Sequence, residues 1–217
     1  MDKVAIILPV YNVIKYLPSM IEALYNSTNF PFKLIIIDGH STDGTEKYID
    51  NLFNDKDNVE YYKIKRKGLV NAINYGIKKA GNMDIYLTQA DVIHFKLFGR
   101  DWLQDMYDQS CKKNVGLVIG IRGGGISGKD FIDGFEWAGT WNTYIPKRTL
   151  KKVGLFDENF ETGDDIDYSY RVELAGLKGI ICDFWVQHHR LTDHGDSDNG
   201  KKIKRMGRLF KKKWGIK

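Results

Sequence analysis

Two short apolar runs, each broken by a polar turn, constrain this chain more than any other feature. Residues 4–12 read Val-Ala-Ile-Ile-Leu-Pro-Val-Tyr-Asn, and residues 34–45 read Leu-Ile-Ile-Ile-Asp-Gly-His-Ser-Thr-Asp-Gly-Thr. Apolar, β-branched runs of this length suit strands covered on both faces of a parallel sheet. Between them Ile14, Leu17, Ile21, Leu24 and Tyr25 recur at helical spacing, so residues 14–27 read as a helix. Strand, helix and strand make a βαβ unit, and in such sheets ligands bind beyond the carboxyl ends of the strands. Pro9, Tyr11, Asn12, Asp38 and Asp43 fall at those ends.

The alternation continues. Residues 44–54 read as a helix with Thr42 or Asp43 as N-cap, 59–64 as a strand, and 69–80 as a helix stopped by Gly81. A strand over 84–88 leads into Gln89-Ala90-Asp91. A helix through Trp102, Leu103, Met106 and Tyr107 leads to a buried strand over 115–121. This order predicts an α/β fold, a mostly parallel sheet with helices on both faces. Beyond residue 121 the pattern changes to a Gly-rich loop (122–134), an aromatic extended stretch (135–146), a helix (164–175) and a strand (178–187). The second half reads as a smaller subregion added over one edge of the sheet.

The 217 residues, 42% of them hydrophobic, suit one domain with a sizeable core. No apolar run approaches the roughly 18 residues that cross a bilayer, and the strand after Met1-Asp2-Lys3 leaves no signal-peptide layout. Cys111 and Cys182 make neither a disulfide framework nor a metal site, and are expected as core thiols in a reducing cytosol. Nine Lys and Arg, and no acid, occupy the last 17 residues, so the formal +5 of the chain becomes −4 for the rest. A mildly acidic body argues against nucleic-acid binding. The tail, 200–217, sets Ile203, Met206, Phe210 and Trp214 in one helical stripe among those cations. Such a basic amphipathic helix lies on an anionic membrane surface or docks its stripe on the domain.

Four segments are candidates for chemistry. Gly123 to Lys129 satisfies the phosphate-loop spacing G-x-x-x-x-G-K, but Asp130 stands where a hydroxyl belongs and Gly134 breaks the helix that should follow. A mobile loop or lid is the better reading. Asp91 closes a strand, where a carboxylate is a cap or holds a divalent cation against a diphosphate. Ile166, Tyr170 and Leu174 mark a buried helix face, which puts Asp164 and Asp165 at the helix N-terminus, with Asp167 and Arg171 as a structural i, i+4 pair. Three acids in four residues exceed a cap's needs, and like charges raise one another's pKa, which suits a general base. The last strand ends at His188-His189, whose rings point to opposite faces, so only one can reach a site, and a lone His there is either a ligand or structural. A His beside Asp91 suits Mn2+ better than Mg2+.

Taken together, these segments resemble the family 2 glycosyltransferases, inverting enzymes of the GT-A fold. The likeness covers about residues 3–190. It rests on Ile7-Leu-Pro-Val-Tyr-Asn12, Ile37-Asp38-Gly-His-Ser-Thr-Asp43-Gly-Thr45, Gly68-Leu-Val-Asn71-Ala-Ile-Asn74-Tyr-Gly76, Gln89-Ala-Asp91, Val153-Gly-Leu-Phe-Asp-Glu158, Asp164-Asp165-Ile-Asp167 with Arg171, and His188.

The resemblance implies a GT-A domain over 1–199, with a nucleotide-binding half (1–91) and an acceptor and catalytic half (92–199), followed by the basic helix. Pro9, Tyr11, Asn12 and Asp38 would line the base and ribose pocket. Arg66, Lys67 and Gly68, with Gln89 and Ala90, would approach the rest of the nucleotide. Asp91 and His188 would hold a divalent cation, Mn2+ in preference to Mg2+. Asp165, with Asp164 beside it, would supply the base. Trp137 and Trp141 are acceptor-side candidates, since sugars stack on aromatic rings, or they pack in the core. Two residues depart from the family pattern: Gln89 replaces the first acid of Asp-x-Asp, and Asp164 replaces a Glu. The implied partners are a nucleotide-diphosphate sugar, UDP-linked first, and a glycan or lipid-linked acceptor. The implied setting is cytoplasmic, with the tail a contact to the inner membrane face. The competing readings are an inactive binding protein of the same fold and a nucleotidyltransferase.

Overall fold

In the computed structural model the first strand, β1 (Val4–Val10), is buried along all but Pro9, because apolar layers cover both of its faces. Val4, Ile6 and Leu8 face one layer, and Ala5 and Ile7 face the other. This two-sided burial follows from the absence of polar alternation in the run. The structure describes residues 4–96, 99–122, 129–132, 135–139, 141–161, 164–188 and 196–216.

After β1 come α1 (Leu17–Ser27), β2 (Phe32–Asp38), α2 (Thr45–Asp55), β3 (Val59–Lys63), α3 (Leu69–Ala80), β4 (Asp84–Thr88) and β5 (Val92–His94). The second half adds α4 (Trp102–Ser110), β6 (Val115–Arg122), β7 (Lys129–Ile132), β8 (Phe135–Ala138), β9 (Asn142–Ile145), α5 (Lys147–Val153), α6 (Asp164–Leu174), β10 (Lys178–His188) and α7 (Asp196–Trp214). Eight strands form one sheet in the order β3-β2-β1-β4-β9-β6-β10-β5. β1 to β4 pair parallel, as do β6 and β10, whereas β9 is antiparallel to both its neighbours and β5 to β10.

The second half is built along the β4 edge of β3-β2-β1-β4, as expected, but as further strands of the same sheet. β9 enters the middle of the sheet and carries β6, β10 and β5 onto it. All four residues of β9 are buried, and its register is pinned by polar pairs. The Tyr86 hydroxyl donates to Asn142 Oδ1 at 2.7 Å, and the Tyr144 hydroxyl donates to Asp84 Oδ2 at 2.7 Å. The supposed loop 122–134 also contains β7, which forms a hairpin with β8. A high glycine content marks a turn but is silent on whether the flanking residues pair. Lys129 and Asp130 lie in that strand, not a helix, so the phosphate-loop pattern lacks its context. Its glycines, Gly123 to Gly128, lie outside the described residues.

Two further expectations change. Cys111 is exposed, not core, because it is the C-cap of α4, while Cys182 is buried and burial pushes its thiol up to about 11. Leu174 is 60% exposed, because α6 is covered on two sides that both miss its last turn. Tyr168 and Val172 face the sheet layer, whereas Ile166 and Tyr170 face α7 with Phe210 and Trp214. The stripe of α7 is thus docked: Met206 and Phe210 are buried against Phe160. Among the described residues no helix is long and apolar enough to cross a membrane.

Candidate active site

Because β1 to β4, β6 and β10 all run the same way, their carboxyl ends share one edge, and the start of β9 lies on that edge too. Most of the anticipated residues meet there. The ends of β1 and β2 and the segment before α3 enclose a cavity of about 600 Å³, within the range of small-molecule sites. Pro9, Tyr11, Asn12, Arg66, Lys67 and Gly68 all line it, with Lys15, Tyr16 and Gly39, which the sequence reading passed over. Arg66 lies over the Tyr11 ring, 3.8 Å from its centre. Asn12 and His40 hold left-handed backbone conformations, φ 52° and 64°. Strain of this kind in non-glycine residues is retained where surrounding contacts over-determine it.

Asp38 does not line the cavity. It is fully buried at the end of β2, where Oδ1 accepts from the Ser41 amide and hydroxyl at 2.9 and 2.7 Å and Oδ2 accepts from the Tyr61 hydroxyl at 2.8 Å. The 38–45 turn is then stitched to the first strand. The Asn12 amide donates to Ser41 Oγ, Asn12 Oδ1 accepts from the Thr42 amide, and the Ile14 amide donates to Asp43 Oδ2. Partial burial pushes Asp43 up, but hydrogen bonds from Thr45 and Ile14 outweigh it and hold the carboxyl below its ordinary value. Polar residues of this turn thus brace the cavity wall.

Gln89 and Ala90 also stand off the cavity. They form the tight turn from β4 to β5, closed by the Val92 amide on the Gln89 carbonyl at 3.1 Å, and Ala90 packs in the core. Asp91 follows, 5% exposed. Antiparallel pairing of β5 with β10 sets His188 directly opposite Val92, so the backbone carries the His beside Asp91 from the far end of the chain. The His188 side chain and all of His189 lie outside the described residues. Among the described residues no three His, Cys, Asp or Glu side chains converge as a metal site. Carboxylate and imidazole are ligand types that together suit Mn2+.

α6 ends at the turn into β10, so its N-terminus lies about 16 Å back toward the same edge, at 1.5 Å per residue. Asp164 is 5% exposed, and its Oδ2 has no hydrogen-bond partner among the described residues. Burial, reinforced by the charge of Asp167, raises its carboxyl to about 6. Asp165 is half-buried, and its Oδ1 accepts from the Ile166 amide at 2.9 Å. At the start of β9, Trp141 is half-buried against the core layer. Its indole covers Gly139 so closely that a Cβ there would come within 2.3 Å of Nε1. The Trp137 side chain lies outside the described residues.

The model of the Glycosyl transferase family 2 domain matches residues 5–166 of this sequence. The chain belongs to that family. A glycosyltransferase of Rickettsia bellii, itself uncharacterized, is 34% identical over 190 residues, 81% of this chain and 27% of the relative. The mannosyltransferase PcManGT of Pyrobaculum calidifontis, solved with GDP-Man and Mn2+, superposes with a TM-score of 0.75 at 16% identity, over 93% of this chain and 60% of that one. TarS 1-349 of S. aureus in complex with UDP-GlcNAc gives 0.69 at 17%, over 91% and 61%. The chain therefore spans about a quarter of the first relative (27%) and three-fifths of the solved neighbours (60 and 61%). These likenesses establish the GT-A fold.

Within the family's frame, the motif Val153–Glu158 gains a clear role. Buried Asn74 on α3 donates to the Phe156 carbonyl at 2.9 Å and accepts from the Phe156 amide at 3.0 Å. Asn71 and Asn74 both donate to Glu158 and lower its carboxyl. This segment locks the approach to α6 onto the cavity helix. His94, the last residue of β5, escaped the sequence reading. It is buried between Tyr86 and Trp102, and burial lowers its imidazole to about 3.

Proposed function

We propose that this family 2 domain is an inverting glycosyltransferase that moves a sugar from a nucleotide-diphosphate donor, UDP-linked, to a hydroxyl of a glycan or lipid-linked acceptor. The observation that carries the reading is the placement of three features along one sheet edge. They are a nucleotide-sized cavity walled by Tyr11 and Arg66, the Asp91 turn brought beside His188, and the acidic N-terminus of α6. Neighbours of the same fold solved with GDP-Man and Mn2+, or with UDP-GlcNAc, support it.

In this reading Tyr11 takes the base, and Arg66 and Lys67 take the phosphates. Asp91 and His188 hold a divalent cation, Mn2+ by preference, which when bound stabilises the departing diphosphate as a Lewis acid. Asp165 accepts the proton of the acceptor hydroxyl as that oxygen attacks the anomeric carbon from the face opposite the leaving group. Adjacent residues on a helix point about 100° apart, so one of the two acids faces the sugar. Asp164, buried and with no partner at Oδ2 among the described residues, stands beside it. The outer face of α7 leaves a basic surface (Lys204, Arg205, Arg208, Lys212) suited to an anionic membrane, without insertion of its docked stripe.

The test is release of nucleoside diphosphate from a panel of nucleotide sugars with Mn2+, using the native chain and Asp165→Asn. Turnover by the native chain, lost in Asp165→Asn with UDP affinity unchanged, is expected. UDP binding without turnover of any donor would favour the inactive binding protein, and equal activity in the variant would move the base elsewhere.

A further inference from the structure

We infer that the C-terminal helix α7 is part of the catalytic apparatus: Lys213 and Trp214 are positioning residues that hold Asp167, and through it the first turn of α6. The inference rests on the reading of that turn as the base-bearing segment.

Asp167 is fully buried and accepts three charged or polar donors. Oδ2 takes Arg171 Nε at 2.9 Å from its own helix. Oδ1 takes Lys213 Nζ at 2.6 Å and Trp214 Nε1 at 3.0 Å, both from α7. The same ammonium reaches Asp157 Oδ2 at 2.8 Å, so one cation clamps α6 and the segment leading into it. Packing alone explains the docking of α7, since Met206 and Phe210 bury against Phe160 and Tyr170 meets the edges of Phe210 and Trp214. An ion cluster around one buried carboxylate adds little to stability over apolar contacts of the same size, and its better-attested use is to specify one geometry.

What that geometry serves is visible one turn away. Asp164 and Asp167 are i, i+3 on α6, so their carboxylates share a face. The charged groups around Asp167 are Asp164 and Arg171 from α6, Asp157 from the preceding segment and Lys213 from α7. Losing the α7 cation leaves Asp157 and Asp167 under-compensated, and the acids of the first turn then titrate at higher pH.

The experiment is side-chain carboxyl NMR on the full chain without donor, comparing the native protein with Lys213→Met, Lys213→Arg and Trp214→Phe. Asp164→Asn and Asp165→Asn assign the signals. Lys213→Met should move the titration of the 164/165 pair up by about 0.5 pH or more, and Lys213→Arg should restore it. Trp214→Phe, which keeps the ring and removes only the N–H, should give a smaller shift of the same sign, and it carries the test if Lys213→Met does not fold. UDP affinity should stay within about twofold in the Lys213 and Trp214 variants, because no residue of α7 lines the cavity. If any donor turns over, the acid limb of kcat moves with the NMR titration. Unchanged titrations in Lys213→Met, or in Trp214→Phe where only that variant folds, would make α7 a stabilising strap and overturn the inference. Failure of every donor to turn over would instead count against the transferase reading and leave the titration result standing.

Discussion

Arg66 caps the ring of Tyr11, its guanidinium carbon 3.8 Å from the ring centre, at the wall of the cavity formed by the first two strand ends. The two residues are far apart in sequence, and their contact joins the loop after β1 to the segment before α3. In the proposed reading the nucleobase stacks at this pair. Base stacking on an aromatic side chain is worth about 1–3 kcal/mol, so Tyr11→Ala should weaken UDP binding by about tenfold or more. Arg66→Ala, which removes the guanidinium assigned to the phosphates, should weaken UDP binding by about 1.5–3 kcal/mol. Calorimetric titration with UDP checks both, and full affinity in Tyr11→Ala would remove the base from this cavity.

Asp164 makes stability depend on pH in an unusual direction. Its carboxyl is raised to about 6 in the folded chain by burial, against an ordinary value of 3.8. The folded state therefore binds the proton more tightly, and the group's favourable contribution is complete below pH 3.8 and lost as pH rises through 6. Asp164→Asn should flatten this slope and raise stability near pH 7.5, by on the order of 2 kcal/mol. Urea unfolding at a series of pH values reads the difference.

Asp91 lies within the proposed cation site, beside the strand that ends at His188. Loss of an outer-shell partner of a metal ligand commonly costs 10–100-fold in affinity, and loss of the ligand itself should cost no less. Asp91→Asn should therefore weaken Mn2+ binding in the presence of UDP by at least about tenfold, with UDP binding in chelator nearly unchanged. Titration of free Mn2+ by electron paramagnetic resonance measures it, and native affinity in the variant would rule Asp91 out as a ligand.

Gly68 forms the turn between Lys67 and α3 at φ 103°, ψ 170°. That region is almost confined to glycine, while a Cβ added there would meet nothing within 4 Å. Gly68→Ala thus isolates backbone strain from crowding and should destabilise by about 1–3 kcal/mol. Since the turn positions Arg66 and Lys67, UDP affinity should fall as well.

Much of this was legible in the sequence. The periodic run 69–80 matches α3 residue for residue, and Asp84–Thr88 matches β4, because in both the apolar spacing and its terminator are local. Six of the anticipated nucleotide residues share one cavity because βαβ units bring successive strand ends to one edge. Asp38 was visible as a strand-end acid, but its capture by Ser41 and Tyr61 was not, since Tyr61 arrives from a different strand. The Asp91 turn and its neighbour β5, only three residues long, carry too little periodicity to announce a strand.

The sequence by itself determined the alternating elements, the binding edge and the acids placed along it, because these follow from local spacing and from the one hand of a βαβ crossover. Tertiary structure alone decided three things. β9 runs backwards between β4 and β6, β5 pairs with β10 to bring His188 beside Asp91, and α7 turns its apolar stripe inward onto α6. Each is a choice of partner between segments far apart in the chain, set by which faces remain to be covered once the parallel strands have paired. An amphipathic stripe states that it needs an apolar surface; only the folded chain supplies one in Phe160 and Tyr170, and with it the hold of Lys213 on buried Asp167.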